Sequence, residues 1–301
     1  MIHVLREEKP DLVVTSLYRS NIISRFACRK MKIPLIGTFV DDSYNEERKK
    51  TFRGIGQLKY QLTWLLDRLT AGMTYAWISN SRYIGENNAR KLGLSMQNIH
   101  VVYRGRDSQA FNPWQQPNLP KFRFVCIGRL YEKKGYPELI EAFAKLHQGH
   151  PNTELEIYGE GSYRPEMERQ IASLQMQEHI HLKGNVPGAW LKMYEANCFV
   201  FPSRFEGFSG ALVEAMMTGI PIISSNIPMN LEAVTHEETA LVHALKDEND
   251  LADKMTRMMV QYPDMIEMGK RARAISFERF DIKVIAKQYE ALLKTFVGKK
   301  L

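Results

Sequence analysis

Short runs that are apolar throughout alternate with longer amphipathic stretches along this 301-residue chain, and that alternation limits the fold more than any other feature. Residues 12–15, 35–39, 74–79 and 99–103 read as strands, and 20–31, 52–70 and 82–92 carry helical spacing between them. After a proline-rich stretch at 112–120 the pattern restarts. Strands are expected at 122–127, 154–158, 180–182, 198–201 and 221–224, again with helical stretches between. A strand without a polar face is covered on both sides, and strands joined through helices lie parallel. The expected class is therefore α/β, with parallel sheets between helical layers.

The length exceeds what one ordinary core serves and fits two domains. The proline-rich stretch is the linker candidate. It divides the chain into a Rossmann-like domain at 1–118, a second at 119–276, and a closing segment at 277–301. Sheets of this kind bind ligands beyond the carboxyl ends of their strands. A site between two such domains would be lined by the loops that follow the apolar runs.

Composition excludes several classes. An apolar fraction of 44% and a charged fraction of 25% are those of a globular protein, and no apolar run reaches 18 residues. Glu7 and Glu8 stand where a signal peptide needs an apolar stretch. Cys28, Cys126 and Cys198 lie far apart with no CxxC, which points to a reducing compartment and to neither a disulfide framework nor a zinc site. His179 and His181 alternate along an expected strand and would face opposite sides, so no metal cluster is expected. Net charge is +7, and residues 1–118 carry all of it, with 18 Lys and Arg against 10 Asp and Glu. That part either meets an anionic surface, such as a phospholipid face or a lipid-phosphate acceptor, or has an ordinary basic exterior. The 52–70 helix sharpens the question. Ile55, Leu58, Leu62, Leu65, Leu66 and Leu69 line one side, and Arg48, Lys49, Lys50, Arg53 and Lys59 crowd its start. The stripe packs on the sheet or lies against a membrane.

Chemistry-bearing residues follow the strands of the second part. The first strand there ends in Gly128-Arg129-Leu130-Tyr131-Glu132-Lys133-Lys134-Gly135. Glycines allow close backbone approach, Arg grips phosphate oxygens as a fork and Lys adds a point charge. A solvated surface loop is the bland alternative. The next strand ends in Tyr158-Gly159-Glu160-Gly161-Ser162, a glycine-rich turn that lacks the full dinucleotide fingerprint. The third is followed by Lys183-Gly184-Asn185-Val186-Pro187, either a simple turn or a backbone edge for a base. The fourth carries the strongest signal, Phe201-Pro202-Ser203-Arg204-Phe205-Glu206-Gly207-Phe208-Ser209-Gly210-Ala211-Leu212-Val213-Glu214-Ala215-Met216. Ser209 reads as a helix N-cap, and the helix start offers free N–H groups to an anion. Glu214 lies among apolar residues, and a lone buried carboxylate is costly unless something pairs with it. A ribose diol would donate two hydrogen bonds. A glycosidase pair of Glu206 and Glu214 is disfavoured, because one glutamate sits in a loop and the other inside a helix.

These two strings together resemble the retaining GT-B glycosyltransferases of family 4, the group 1 glycosyltransferases. The family shows a Gly-Arg-Leu-x-x-x-Lys-Gly loop, here 128–135, and a Glu-x7-Glu segment, here within 202–221. The resemblance covers about residues 10–298 and is stronger after 120. It implies two Rossmann-like domains facing a cleft. Arg129 and Lys134 would hold the donor diphosphate, with Gly128, Gly159 and Gly161 allowing its approach. Glu206 would meet hydroxyls of the transferred sugar. Phe208, Ser209 and Gly210 would supply N–H groups, Glu214 would bind the ribose and Val186 would touch the base. The implied reaction is front-face transfer with retained configuration from a nucleoside-diphosphate sugar to a glycan or lipid-linked acceptor, as in surface polysaccharide or glycolipid synthesis. No metal, further cofactor or nucleic acid is expected. The implied location is cytoplasmic, with peripheral contact at the inner membrane face. The segment 277–296 resembles the family's closing helix, which crosses back to the first domain; the alternative is a helix packed only on its own domain.

Three departures qualify the resemblance. Family members begin with further strand–helix units, so the first domain is expected to be incomplete, the product of a truncated reading frame or one piece of a split enzyme with a partner chain. Val40 stands where the family often has a histidine, and Asp41 or Asp42 would take over contacts to sugar hydroxyls. Arg104-Gly105-Arg106-Asp107 replaces a more usual Asn-Gly-Val-Asp, so Arg104 and Arg106 are candidates for an anionic acceptor. The competing functions are a non-catalytic or truncated nucleotide-sugar-binding fragment or subunit, and another enzyme of the same shape such as a sugar-nucleotide epimerase.

Overall fold

A computed structural model describes residues 1–44, 49 and 52–297. They form two compact units, Met1–Arg104 with Lys283–Leu301, and Gly105–Ile282.

In the first unit, α1 (Ile2–Glu8) leads into β1 (Val13–Thr15), α2 (Tyr18–Met31), β2 (Leu35–Phe39), α3 (Ile55–Thr70), β3 (Ala76–Ser79), α4 (Arg82–Leu92) and β4 (Ile99–Val101). The described strands make one parallel sheet in the order β1-β2-β3-β4. β3 is buried along its length and β2 at every position but Thr38, as strands without a polar face must be. β1 is an edge strand, with Val14 exposed. Arg48 and Lys50, part of the basic cluster noted above, lie outside the described residues.

α3 is inverted relative to an ordinary amphipathic helix. Its buried residues are Asp67 and Thr70. Ile55, Leu58, Leu62, Leu65, Leu66 and Leu69 are exposed, so the stripe does not pack on the sheet. The cause is Arg25 of α2, whose fully buried guanidinium pairs with Asp67 at 2.6 Å and donates to Thr70 at 2.9 Å and Thr74 at 3.2 Å. The Tyr44 hydroxyl donates to the other Asp67 oxygen at 2.5 Å. A buried charge is tolerable only when so paired, and this pairing fixes which face of α3 turns inward.

The second unit holds β5 (Phe122–Ile127), α5 (Tyr136–Gly149), β6 (Thr153–Tyr158), α6 (Arg164–Ser173), β7 (Ile180–Gly184), β8 (Cys198–Phe201), α7 (Gly210–Thr218), β9 (Ile222–Ser225), α8 (Pro228–Leu231), β10 (Leu241–His243), α9 (Glu248–Val260) and α10 (Tyr262–Phe280). Its described strands are all parallel, in the order β10-β9-β8-β5-β6-β7. The order reverses between β5 and β8, and such a switch point is where doubly wound sheets open a crevice for ligands. Phe124, Phe143, Leu155, Ile157, Val200 and Met255 belong to one buried core around this sheet. β10 is not among the strands expected from the pattern.

The division falls at 104/105, not at the expected linker near 118. Trp114 explains this: its backbone N–H donates to Thr218 at 2.8 Å and its indole to Ala196 at 3.0 Å, so the proline-rich stretch is fastened to the second unit. The closing segment is not one helix. α10 ends at Phe280, Asp281 is extended, and α11 (Ile282–Lys294) follows. Ile285 and Phe296 join Ile36, Ala76, Ile78 and Val102 in the first unit's core. Among the described residues, no helix is long and apolar enough to cross a membrane.

Candidate functional site

The loops after β5 and β8, which flank the switch point, are stitched together. Gly135 ends the first loop with φ +74, and a Cβ there would strike the Pro202 carbonyl, so only glycine lets the two backbones touch. The Arg204 N–H donates to the Lys133 carbonyl at 2.9 Å. The Arg204 side chain reaches back to Glu138 at 2.7 Å and Glu132 at 3.2 Å. Ser225 braces the second loop from below, donating from its hydroxyl to the Ser203 carbonyl at 2.5 Å, and Asn230 in turn holds Ser225.

On this frame Lys134 and Glu206 meet, with Nζ 2.5 Å from Oε1 and only 14% and 12% of the two side chains exposed. Ser203 donates to the same carboxylate oxygen at 2.6 Å, and the ring of Phe201 lies 5.9 Å from the ammonium. Gly128 receives the Tyr136 hydroxyl at 2.9 Å; burial pushes that hydroxyl's pKa up, so it remains a neutral donor. Arg129 is exposed, with its guanidinium 5.3 Å from the Tyr131 ring centre. Gly159 has φ +142 and lies against the Gly128 carbonyl, while Gly161 lies against Leu130, so the turn after β6 supports the first loop. Val186 is half-buried in the turn after β7.

α7 starts where the second loop ends. Ala211, Leu212, Ala215, Met216 and Met217 are good helix formers, and those from Leu212 onward are buried. The Ser209 hydroxyl caps the Leu212 N–H at 3.4 Å. Phe208 is buried with its ring 5.4 Å from that of Phe280, which aims the chain into the helix. One turn in, Glu214 is partnered by protein: Arg106 Nε donates to Oε1 at 2.7 Å. Sequence reading put Arg106 with Arg104 on the acceptor side. In the structure Arg106 belongs to the second unit beside Glu214, while Arg104 is an exposed residue of the first.

Asp41 and Asp42 part company as well. Asp42 is 1% exposed, accepts hydrogen bonds from the Asn87 amide and, at 3.3 Å, from the Tyr44 N–H, and does not line the adjoining cavity. Burial outweighs those bonds and raises its pKa. Its carboxylate is a brace within the fold and is not offered to a ligand. Asp41 lines a cavity of about 130 Å³ with Tyr18, Asn21, Thr38, Ser43 and Tyr44. Ser203, Arg204 and Tyr136 were not singled out from sequence. Serine and arginine beside a motif carry no signal until the loops are seen to touch. Among the described residues, no group of three His, Cys, Asp or Glu side chains is placed to hold a metal ion.

A six-stranded unit with two conjoined loops at its switch point, preceded by a second parallel-sheet unit, defines the GT-B class of fold. Comparison with solved structures agrees. Anabaena HepE in complex with UDP superposes with a TM-score of 0.84 at 19% identity, over 98% of this chain and 80% of that one. Sucrose-phosphate synthase of Thermosynechococcus elongatus gives 0.81 at 20%, over 97% and 75%. The profile of "Glycosyl transferases group 1" matches residues 108–275 and that of "Glycosyltransferase Family 4" matches 1–110. The chain belongs to the group 1 glycosyltransferases. An uncharacterized glycosyltransferase of Methanocaldococcus jannaschii is 34% identical over 75% of this chain and 58% of its own length. The amylovoran biosynthesis glycosyltransferase AmsK of Erwinia amylovora is 28% identical, over 67% and 52%. The chain thus spans about half the length of the curated relatives it matches.

Proposed function

We propose that this chain carries the donor site of a retaining glycosyltransferase, which moves a sugar from a nucleoside diphosphate to a glycan or lipid-linked acceptor. The observation that carries the reading is the Lys134–Glu206 pair at the switch point, in the loops that lead from β5 and into α7. A diphosphate leaving group needs its growing charge met without rearrangement. Lys134 and the first N–H groups of α7 supply fixed positive ends, and the exposed Arg129 supplies a cation free to close on phosphate. Glu206, held by Lys134 and Ser203, presents a carboxylate to hydroxyls of the transferred sugar. Glu214 takes the ribose, and Val186 borders the base. Departure of the diphosphate on the face the acceptor enters retains configuration, and no metal takes part. HepE has been crystallised with UDP and with UDP-glucose, which supports a nucleotide-sugar donor here.

The test is transfer or hydrolysis across a panel of nucleotide sugars, with the anomer assigned by NMR. Arg129→Ala, Lys134→Ala and Glu214→Ala should each weaken nucleoside-diphosphate binding by about 10–100-fold, the worth of one charge-assisted contact. Normal binding in all three variants would remove the site assignment. A second reading, a nucleotide-sugar-binding subunit without transfer, is favoured by β1, whose edge position and exposed Val14 suit a covering partner chain. Binding without turnover would select it. The exposed apolar stripe of α3 supports peripheral contact with a cytoplasmic membrane face.

A further inference from the structure

Arg106 is held more firmly than a surface arginine. Its N–H donates to the Phe280 carbonyl at 2.9 Å and its carbonyl accepts from the Ile282 N–H at 2.8 Å, so its backbone is pinned on both sides of Asp281. Its Nη1 donates to the Gly105 carbonyl at 3.1 Å. Gly210, the first residue of α7, makes room for the rest of the guanidinium: a Cβ there would strike Nη2. The remaining nitrogen, Nε, grips one oxygen of Glu214. Among the described residues, Arg106 is the one hydrogen-bond partner of that carboxylate, and the second oxygen is not among the buried polar atoms left without a partner.

We propose that Arg106 is a positioning residue that sets the nucleotide's sugar specificity: by fixing one Glu214 oxygen it aims the other at a ribose diol. The inference rests on the reading of Glu214 as the ribose ligand. A glutamate alone on a helix samples several rotamers, and the diol is met only by one that turns the second oxygen toward it. An arginine fixed at its backbone, and seated in a space kept open by a glycine, removes that freedom before the nucleotide arrives.

The experiment measures binding of UDP, GDP and ADP beside their 2′-deoxy counterparts by calorimetry and follows the pair that binds wild type best. Wild type should prefer the ribonucleotide by about tenfold or more, the worth of a hydrogen bond to a charged group. In Arg106→Ala the preference should fall to within about threefold with little change for the deoxynucleotide, Arg106→Lys should recover only part of it, and Arg106→Ala/Glu214→Ala should discriminate no worse than either single variant. A merely structural role would weaken both nucleotides equally. If wild type and Glu214→Ala are equally indifferent to the 2′-hydroxyl, the ribose reading of Glu214 fails. If Glu214→Ala loses the preference while both Arg106 variants keep it, or if Arg106→Ala binds the ribonucleotide more tightly, the role of Arg106 is overturned.

Discussion

Asp42 shows how a single side chain can look functional and be structural. Its carboxyl is buried against Asn87 and the Tyr44 N–H, and desolvation raises its pKa above the ordinary aspartate value. A group whose folded pKa lies above its unfolded pKa stabilises the fold fully below the unfolded value. That contribution is lost as pH rises through the folded pKa. Asp42→Asn keeps an acceptor for Asn87 and removes the charge. Its melting temperature should therefore match or exceed that of wild type at pH 7, and any advantage should vanish as pH falls toward about 4. Thermal melts across that range decide the matter; an Asn variant weaker than wild type at neutral pH, with a gap that closes in acid, would show that the charged carboxylate is wanted. The three thiols have a similarly quiet role. All are free and buried, and burial pushes Cys126 up to about 12, so none is poised to react. The residues of the two conjoined loops were more legible. Lys134, Glu206 and Ser209 fall where the strand-then-loop pattern puts them, because each lies within a few residues of its strand or helix end. The partner of Glu214 was not legible. Arg106 is 108 positions away, and nothing local in either segment announces the other.

At the scale of elements, α3 is the departure with the plainest physical cause. Periodicity reveals a stripe but not which way it faces, and here a buried ion pair overrides the stripe. Arg25→Leu should destabilise the protein by about 3–5 kcal/mol, since it strands the buried Asp67 carboxylate and the groups around it. Arg25→Leu/Asp67→Leu should recover most of the loss, because a desolvated pair is often no better than apolar packing. Denaturant titration gives both numbers; a double variant as weak as the single one would mean that the network, not the lone charge, carries the stability. The break at Asp281 was hidden for a related reason. Residues 277–296 read as one amphipathic helix, but the pairing of Arg106 with Phe280 and Ile282 holds Asp281 extended, and the Ser108 hydroxyl takes its carboxylate. Strands, by contrast, came out within two residues of expectation wherever they were apolar throughout. A fully buried parallel strand is expected to be apolar along its length, and β10, which ends in His243, was not among the strands the pattern announced.

For the molecule as a whole, charge and apolar surface coincide in one part of the chain. Residues 1–118 hold the entire basic surplus, and α3, within that stretch, turns an uninterrupted apolar stripe outward. Leu58, Leu62, Leu65 and Leu69 recur at heptad-like spacing, each between 41% and 72% exposed along with Leu66, which is far more than scattered surface leucines require. Lowering such a stripe into a lipid interface gains about 25 cal/mol per Å² of apolar area, and each nearby Lys or Arg adds roughly 1 kcal/mol against an anionic leaflet. The second contribution is screened by salt and the first is not. The protein should therefore co-sediment with vesicles containing anionic phospholipid, bind neutral vesicles more weakly, and lose the difference at about 0.5 M salt. Leu62→Glu/Leu69→Glu should abolish vesicle binding at any salt concentration while leaving the melting temperature within about 1 °C, because neither side chain packs inside the fold. The same spacing suits a second copy of the helix, and light scattering separates the two cases: if the glutamate variant changes mass from dimer to monomer while vesicle binding was never present, α3 is an assembly surface and the chain has no membrane-facing side there.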